Sequence, residues 1–313
     1  VITAGKFGER WRDLAKAFGC QIDLVEAPYG ETVSPDAVRA KLTPDTRVVY
    51  MQATESSTGA RHDVQATAKL VQGTDTLLVV DAITGLGTTH FDVDGWGVDV
   101  IIGGSQKALM IPPGLAYLSV SERAWKRMET AKHPRYYFDL RKERKSAAKG
   151  ESSFTPATSL IVALAASFDY LRESGKGDLA TGRELLIDNA ELAAEMTREA
   201  AQALHLKLFS PTCPAAALTA ILPPDGVDST EIVKRFRDQF GAVVANGQGD
   251  MKGQLFRIAH LGYYDYLDTI GVIAALEQIV AELKSGHIEF GFAIRVAQEV
   301  FARARADKAL AHF

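Results

Sequence analysis

An α/β fold, with a mainly parallel sheet followed by a smaller α+β domain, is predicted by three observations. Short β-branched runs alternate with helix-period segments through the first half of the chain, the apolar runs are sheet-sized, and the pattern changes in the second half. The strands of the first half are expected at 21–26, 47–52, 77–81, 98–103 and 115–120. Between them, 7–18 places Trp11, Leu14, Ala15 and Phe18 on one helical face, Pro35 opens a second helix, and 63–72 forms a third. The stretch 132–153 is rich in Arg and Lys around Tyr136, Tyr137 and Phe138 and shows no clean period. It reads as a long loop or a short-helix connection.

A helix at 159–173 is expected to join two domains, and 180–206 to form a long amphipathic helix. A strand at 215–222, a helix at 229–240, strands at 241–245 and 255–260 and a helix at 266–285 then make the smaller domain. A last helix over 288–309, with Arg295, Arg303 and Arg305 exposed, is expected to dock on the surface or on a partner subunit. The domains expected are 1–170, 171–287 and a helical extension at 288–313.

The composition narrows the function. The 313 residues are 47% hydrophobic and 24% charged, ordinary for a soluble globular protein. A net charge of -4 and a pI near 6.0 provide no basic stripe for a phosphate backbone, so nucleic acid is not expected as a partner. The apolar runs fall far short of the ~20 residues that a spanning helix needs. Cys20 and Cys213 read as two reduced thiols, and a cytoplasmic location follows as the default. The chain starts at Val1 with neither an initiator Met nor a signal core, as if entered in mid-fold.

Four local patterns carry chemistry. The first is Gly103-Gly-Ser-Gln-Lys107-Ala at the end of a strand, followed by Pro112-Pro-Gly114. Taken alone, such a lysine is ordinary solvated surface; among small glycines beside a buried-type strand it can be desolvated and act as an imine-forming amine. The second is Asp81 at the end of the 77–81 strand. It either caps the following turn or meets a cation, and the protonated ring nitrogen of pyridoxal 5'-phosphate (PLP) is such a cation. Lys107 follows Asp81 by 26 positions, which lets consecutive strands present both at one sheet edge.

The third pattern, Thr54-Glu-Ser-Ser-Thr-Gly59, is a polar turn whose hydroxyls and amides also suit a phenolic oxygen or a phosphate. The fourth is Arg257 in the apolar run Phe256-Arg-Ile-Ala-His260, where a guanidinium seeks a carboxylate. His260 falls on the opposite strand face, His62, His90 and His133 lack metal-ligand spacing, and Cys213 reads as a small buried thiol.

In this combination the chain resembles the class V aminotransferases of PLP fold type I, in particular the alanine–glyoxylate and serine–pyruvate group, from Val1 to about Ser285. The resemblance rests on Glu-Ser-Ser-Thr-Gly at 55–59, Val-Asp at 80–81, Ser-Gln-Lys-Ala at 105–108 with Pro-Pro-Gly after it, and Phe-Arg-Ile at 256–258. It implies a seven-stranded-type sheet, PLP as cofactor, and a homodimer with active sites at the subunit interface. Lys107 becomes the Schiff-base lysine and proton shuttle, and Asp81 the partner of the ring nitrogen. Ile83 packs under the ring, Ser56 lies near the phenolic oxygen, Gln106 helps bind the phosphate and Arg257 holds the substrate carboxylate. Phe7, in Gly5-Lys-Phe-Gly8 where relatives carry Gly-x-Trp-Gly, supplies the stacking face. Thr155 matches a threonine that reaches the neighbouring subunit's phosphate, although Glu151, Ser152 and Ser153 replace the Tyr and His of some relatives.

The resemblance also implies a segment ahead of the point matching Val1, whose Ser-Gly-Ser/Thr turn opens a phosphate-gripping helix. Without it, PLP binding is expected to be weak or absent. The activity expected is amino transfer from alanine, serine or aspartate to glyoxylate or pyruvate. The alternatives are another class V chemistry, lyase or desulfurase, and a non-catalytic fragment or dimerisation partner.

Overall fold

The computed structural model describes residues 1–284 and 289–307. Runs rich in Val, Ile and Leu form a central sheet in the order Val48–Gln52, Leu77–Asp81, Val100–Gly104, Ala116–Val120. The first three strands run parallel and the last is antiparallel. Four strands are present in this sheet among the described residues. Ile2–Thr3 and Val25–Glu26 form a separate parallel pair. Of the expected strand at 21–26 only two residues pair, because the partner is itself two residues long.

The crossover helix Val64–Val71 shows why the pattern was readable. Asp63 accepts a hydrogen bond from Ala66 N at 2.8 Å and starts the helix, and Val64, Thr67, Ala68 and Val71 give it one buried face. That face meets Val49, Met51, Leu78 and Val80 in a single apolar core. Asp99 staples the antiparallel edge. Its buried carboxylate accepts from Leu78 N, Ser121 Oγ and the Nε and Nη2 of Arg123. Burial alone would raise this carboxyl, but Arg123 and the other donors hold it below the ordinary aspartate value.

The second core lies around the antiparallel strands Ala245–Asn246, Phe256–Ala259 and Leu218–Ile221 and the helices Leu179–Ala203, Ser229–Phe240 and Tyr266–Leu283. The strand expected at 241–245 is displaced. Gly241, at φ 65°, ends the preceding helix in the left-handed region, and the chain needs the next residues to reach the sheet. The last helix, Phe292–Asp307, buries Ala293, Ala297 and Val300 in this same core, while Arg295, Arg303 and Arg305 are exposed as expected. The ends of its expected span, 288 and 308–309, lie outside the described residues, as does residue 285 of the preceding helix.

Helix Thr158–Ser174 links the two regions, and Ser167 Oγ donates to Leu109 O at 2.7 Å. The polar stretch before it contains a helix, Leu140–Ala147, that buries no residue. Among the described residues no helix is long and apolar enough to cross a membrane.

Candidate active site

Parallel pairing sets the site at one sheet edge. Gln52 is in register with Asp81, and Asp81 with Ile102, two residues before the end of the third strand, so three neighbouring strands end close together. The turns that leave them carry Thr54 to Gly59, Ile83 and Thr84, and Ser105 to Lys107. With the first turns of helix Lys6–Ala17 these segments enclose a cavity of about 350 Å³, lined among others by Phe7, Trp11, Ser56, Asp81, Gln106 and Lys107. A larger cleft, about 710 Å³, lies beyond the hairpin formed by Thr54–Glu55 and Ala60–Arg61. It holds Arg61 and Arg198 against Asp63, Glu191 and Glu195 and has no lysine.

Lys107 is half-buried, in a turn braced by a buried serine. Ser105 Oγ donates to Pro112 O at 2.8 Å and accepts from Leu115 N at 3.2 Å. Burial lowers the Lys107 ammonium below the ordinary lysine value, the charge of Arg257 adds to that, and Asp81 opposes it. The lysine is therefore an amine more readily freed of its proton than one on the surface.

Asp81 is tied on both oxygens: Oδ1 accepts from Ile83 N and Oδ2 from Trp11 Nε1, each at 3.0 Å. The two readings of Asp81 coexist here. It caps its own turn and also faces the cavity.

Phe7 is placed by a device that sequence reasoning missed. Glu55, fully buried, accepts from Phe7 N at 3.1 Å and Gly8 N at 3.0 Å through Oε2, and from Ser57 N at 3.1 Å and Ser57 Oγ at 2.6 Å through Oε1. Ser57 Oγ in turn accepts from Lys6 N. The helix has no cap of its own, and Glu55 supplies the acceptors that its first N–H groups need. Close approach explains the flanking glycines, since a Cβ on Gly5 would lie 2.5 Å from Ser57 Oγ and one on Gly8 2.7 Å from Thr3 Cα.

Arg257 reaches the same turn. Nη1 donates to Ser56 O at 2.6 Å, and Nε and Nη2 donate to Asn246 O at 3.3 and 2.7 Å. Of the five guanidinium N–H groups, these bonds leave others free. Burial lowers its proton affinity, and Glu55 opposes the shift.

Thr155 is not brought to this cavity. It is exposed in the segment before Thr158–Ser174, next to Phe154, whose ring stacks on Tyr137 at 4.4 Å. His260 is buried behind the sheet, paired with Thr219 Oγ1 at 2.9 Å, and burial, with Arg198 nearby, lowers it to about 3. Cys213 is partly buried and Cys20 exposed, and both are free thiols.

The donor set suits a phosphorylated pyridine aldehyde. An anion faces the cavity, a desolvated amine stands near it, aromatic and aliphatic walls flank it, and Thr54 Oγ1 is buried with no partner among the described residues.

The family model for class-V aminotransferases matches residues 8–249. The chain belongs to the class-V aminotransferases, and its cofactor is pyridoxal 5'-phosphate. It is 36% identical over 306 residues to a protein of Synechococcus named soluble hydrogenase, small subunit, covering 96% of this chain and 78% of that one. It is 33% identical over 310 residues to the L-aspartate–glyoxylate aminotransferase of Paracoccus denitrificans, covering 96% and 76%. The crystal structure of pyridoxamine–pyruvate aminotransferase from Mesorhizobium loti superposes with a TM-score of 0.87 at 27% identity, over 97% of this chain and 77% of that one.

Proposed function

We propose that this aminotransferase moves an amino group from alanine, serine or aspartate to a small 2-oxo acid such as glyoxylate or pyruvate. The observation that carries the reading is that Lys107 and Asp81 line one cavity at the edge of the central sheet, while Arg257, from the second sheet, donates to the carbonyl of Ser56, which lines the same cavity. The name of the Paracoccus relative supports the substrate class.

Bound PLP supplies an aldehyde that takes up amines and a ring that accepts electron density. Lys107 would hold the cofactor, and its freed amine would move the proton between the substrate Cα and the C4′ carbon of the cofactor. Asp81 would accept the proton of the ring nitrogen in a hydrogen bond, Phe7 and Ile83 would cover the ring, and Ser56 and Gln106 would serve the phenolic oxygen and the phosphate. Arg257, braced on two backbone carbonyls, presents its remaining N–H groups to the substrate carboxylate. A homodimer in the cytoplasm belongs to the same reading, with Thr155 directed to the phosphate of the neighbouring subunit.

The test is a donor and acceptor screen on PLP-loaded protein. Alanine is paired with glyoxylate, and serine and aspartate with glyoxylate or pyruvate; glycine or alanine is measured as product. Absence of amino transfer from all three donors would overturn the reading.

Arg257→Lys should raise KM for donor and acceptor alike, by roughly tenfold or more, because an ammonium cannot make the planar two-pronged contact. Titration with PLP should be unchanged. Loss of the cofactor instead would assign Arg257 to the phosphate or the fold.

A further inference from the structure

One of the two groups that hold Asp81 belongs to none of the motifs. The bond from Ile83 N to Oδ1 is one that any turn-capping aspartate makes. Oδ2 accepts from the Nε1 of Trp11, a residue 70 positions away in sequence. An indole N–H can only donate, so the carboxylate has to keep a lone pair turned towards it. Nor is the indole free to swing away. It stacks on Tyr50 with ring centroids 5.3 Å apart and planes inclined by 18°. Tyr50 stands on the neighbouring strand in register with Val79, two residues before Asp81.

Trp11 also follows Phe7 by four positions, so the helix face that carries Phe7 to the cavity carries Trp11 to the carboxylate. The Glu55 clamp on the start of that helix sets both rings at once. Hydrogen bonds to a charged acceptor are the strong ones, and one donor on each oxygen leaves the other lone pairs of the carboxylate for a third partner.

We infer that Trp11 is a positioning residue for the cofactor ring: its indole N–H, braced by Tyr50, holds the Asp81 carboxylate so that its free lone pairs meet the protonated ring nitrogen. The inference rests on the assignment of Asp81 to that nitrogen.

Trp11→Phe keeps an aromatic ring against Tyr50 and removes the donor. Titration of the apoprotein with PLP should give a dissociation constant about tenfold higher than that of the parent. In an Asp81→Asn background the same change should cost less than about twofold, because the group it positions is already gone. Equal losses in the two backgrounds would mean that Trp11 merely supports the fold, and no loss in the parent background would overturn the inference as well. Should Asp81→Asn alone leave PLP affinity untouched, the assignment of Asp81 fails, and the inference with it.

A measurement on folded parent protein guards against a Trp11→Phe variant that does not fold. In ¹⁵N-Trp-labelled protein the indole resonance of Trp11 is identified by elimination with Trp96→Phe and Trp125→Phe. It should shift when Asp81 is replaced by Asn. A resonance that stays in place would overturn the hydrogen bond on which the inference stands.

Discussion

Replacing Lys107 with alanine should abolish amino transfer and the visible absorbance of the protein-bound cofactor together. The two losses would have one cause, since in the proposed function the amine that holds PLP is also the base that moves the substrate proton. A fall of at least about 10⁴-fold in kcat is expected, because covalent attachment and proton transfer vanish at once. The fold should survive. The Lys107 ammonium carries a burial cost and lies within the field of Arg257, so alanine removes a liability of the apoprotein. The sign is checkable. A lysine lowered in the folded state binds fewer protons there than when unfolded, so wild-type stability rises with pH through that interval. The variant's advantage in the apoprotein should therefore be largest below the folded pKa and fade as pH climbs towards the unfolded value of 10.5. Borohydride reduction of the loaded parent protein, followed by peptide mapping, locates the attachment directly. A pyridoxyl group on any other lysine would sink the assignment.

The parts of this site that could be read from the sequence are those where chemistry and strand ends coincide. Asp81 and Lys107 each stand just past a β-branched run, and parallel register places such positions at one edge whatever the details of packing. Glu55 and Trp11 were hidden for a different reason. Glu55 acts across 47 positions on the N–H groups of Gly8, and Trp11 across 70 on Asp81. Neither partnership follows from local spacing. The helix Leu140–Ala147 was legible only as one of two alternatives, a loop or a short-helix connection, because it buries nothing and so leaves no apolar period. At 241–245 the apolar residues suggested a strand, but Gly241 had first to end a helix.

Asp81→Asn should keep some cofactor and lose most of the turnover, with a barrier raised by roughly 3 kcal/mol or more, about a hundredfold or greater in rate. Geometry gives two reasons. The amide has one oxygen where the carboxylate has two, yet Ile83 N and Trp11 Nε1 both require an acceptor. Whichever donor faces the new NH₂ group loses its partner, at a cost of about 1–3 kcal/mol if it stays buried, so the side chain turns and no longer presents a fixed acceptor to the cavity. The second reason is charge. An amide cannot stabilise a protonated ring nitrogen, and a neutral ring withdraws electron density poorly. The expected pattern is thus a fall in kcat larger than any change in KM, accompanied by loss of the ring-nitrogen proton. That proton can be followed by ¹⁵N NMR on PLP labelled at the ring nitrogen. Near-normal turnover in Asp81→Asn would reduce Asp81 to the cap of its own turn, the role that its bond from Ile83 N already fills.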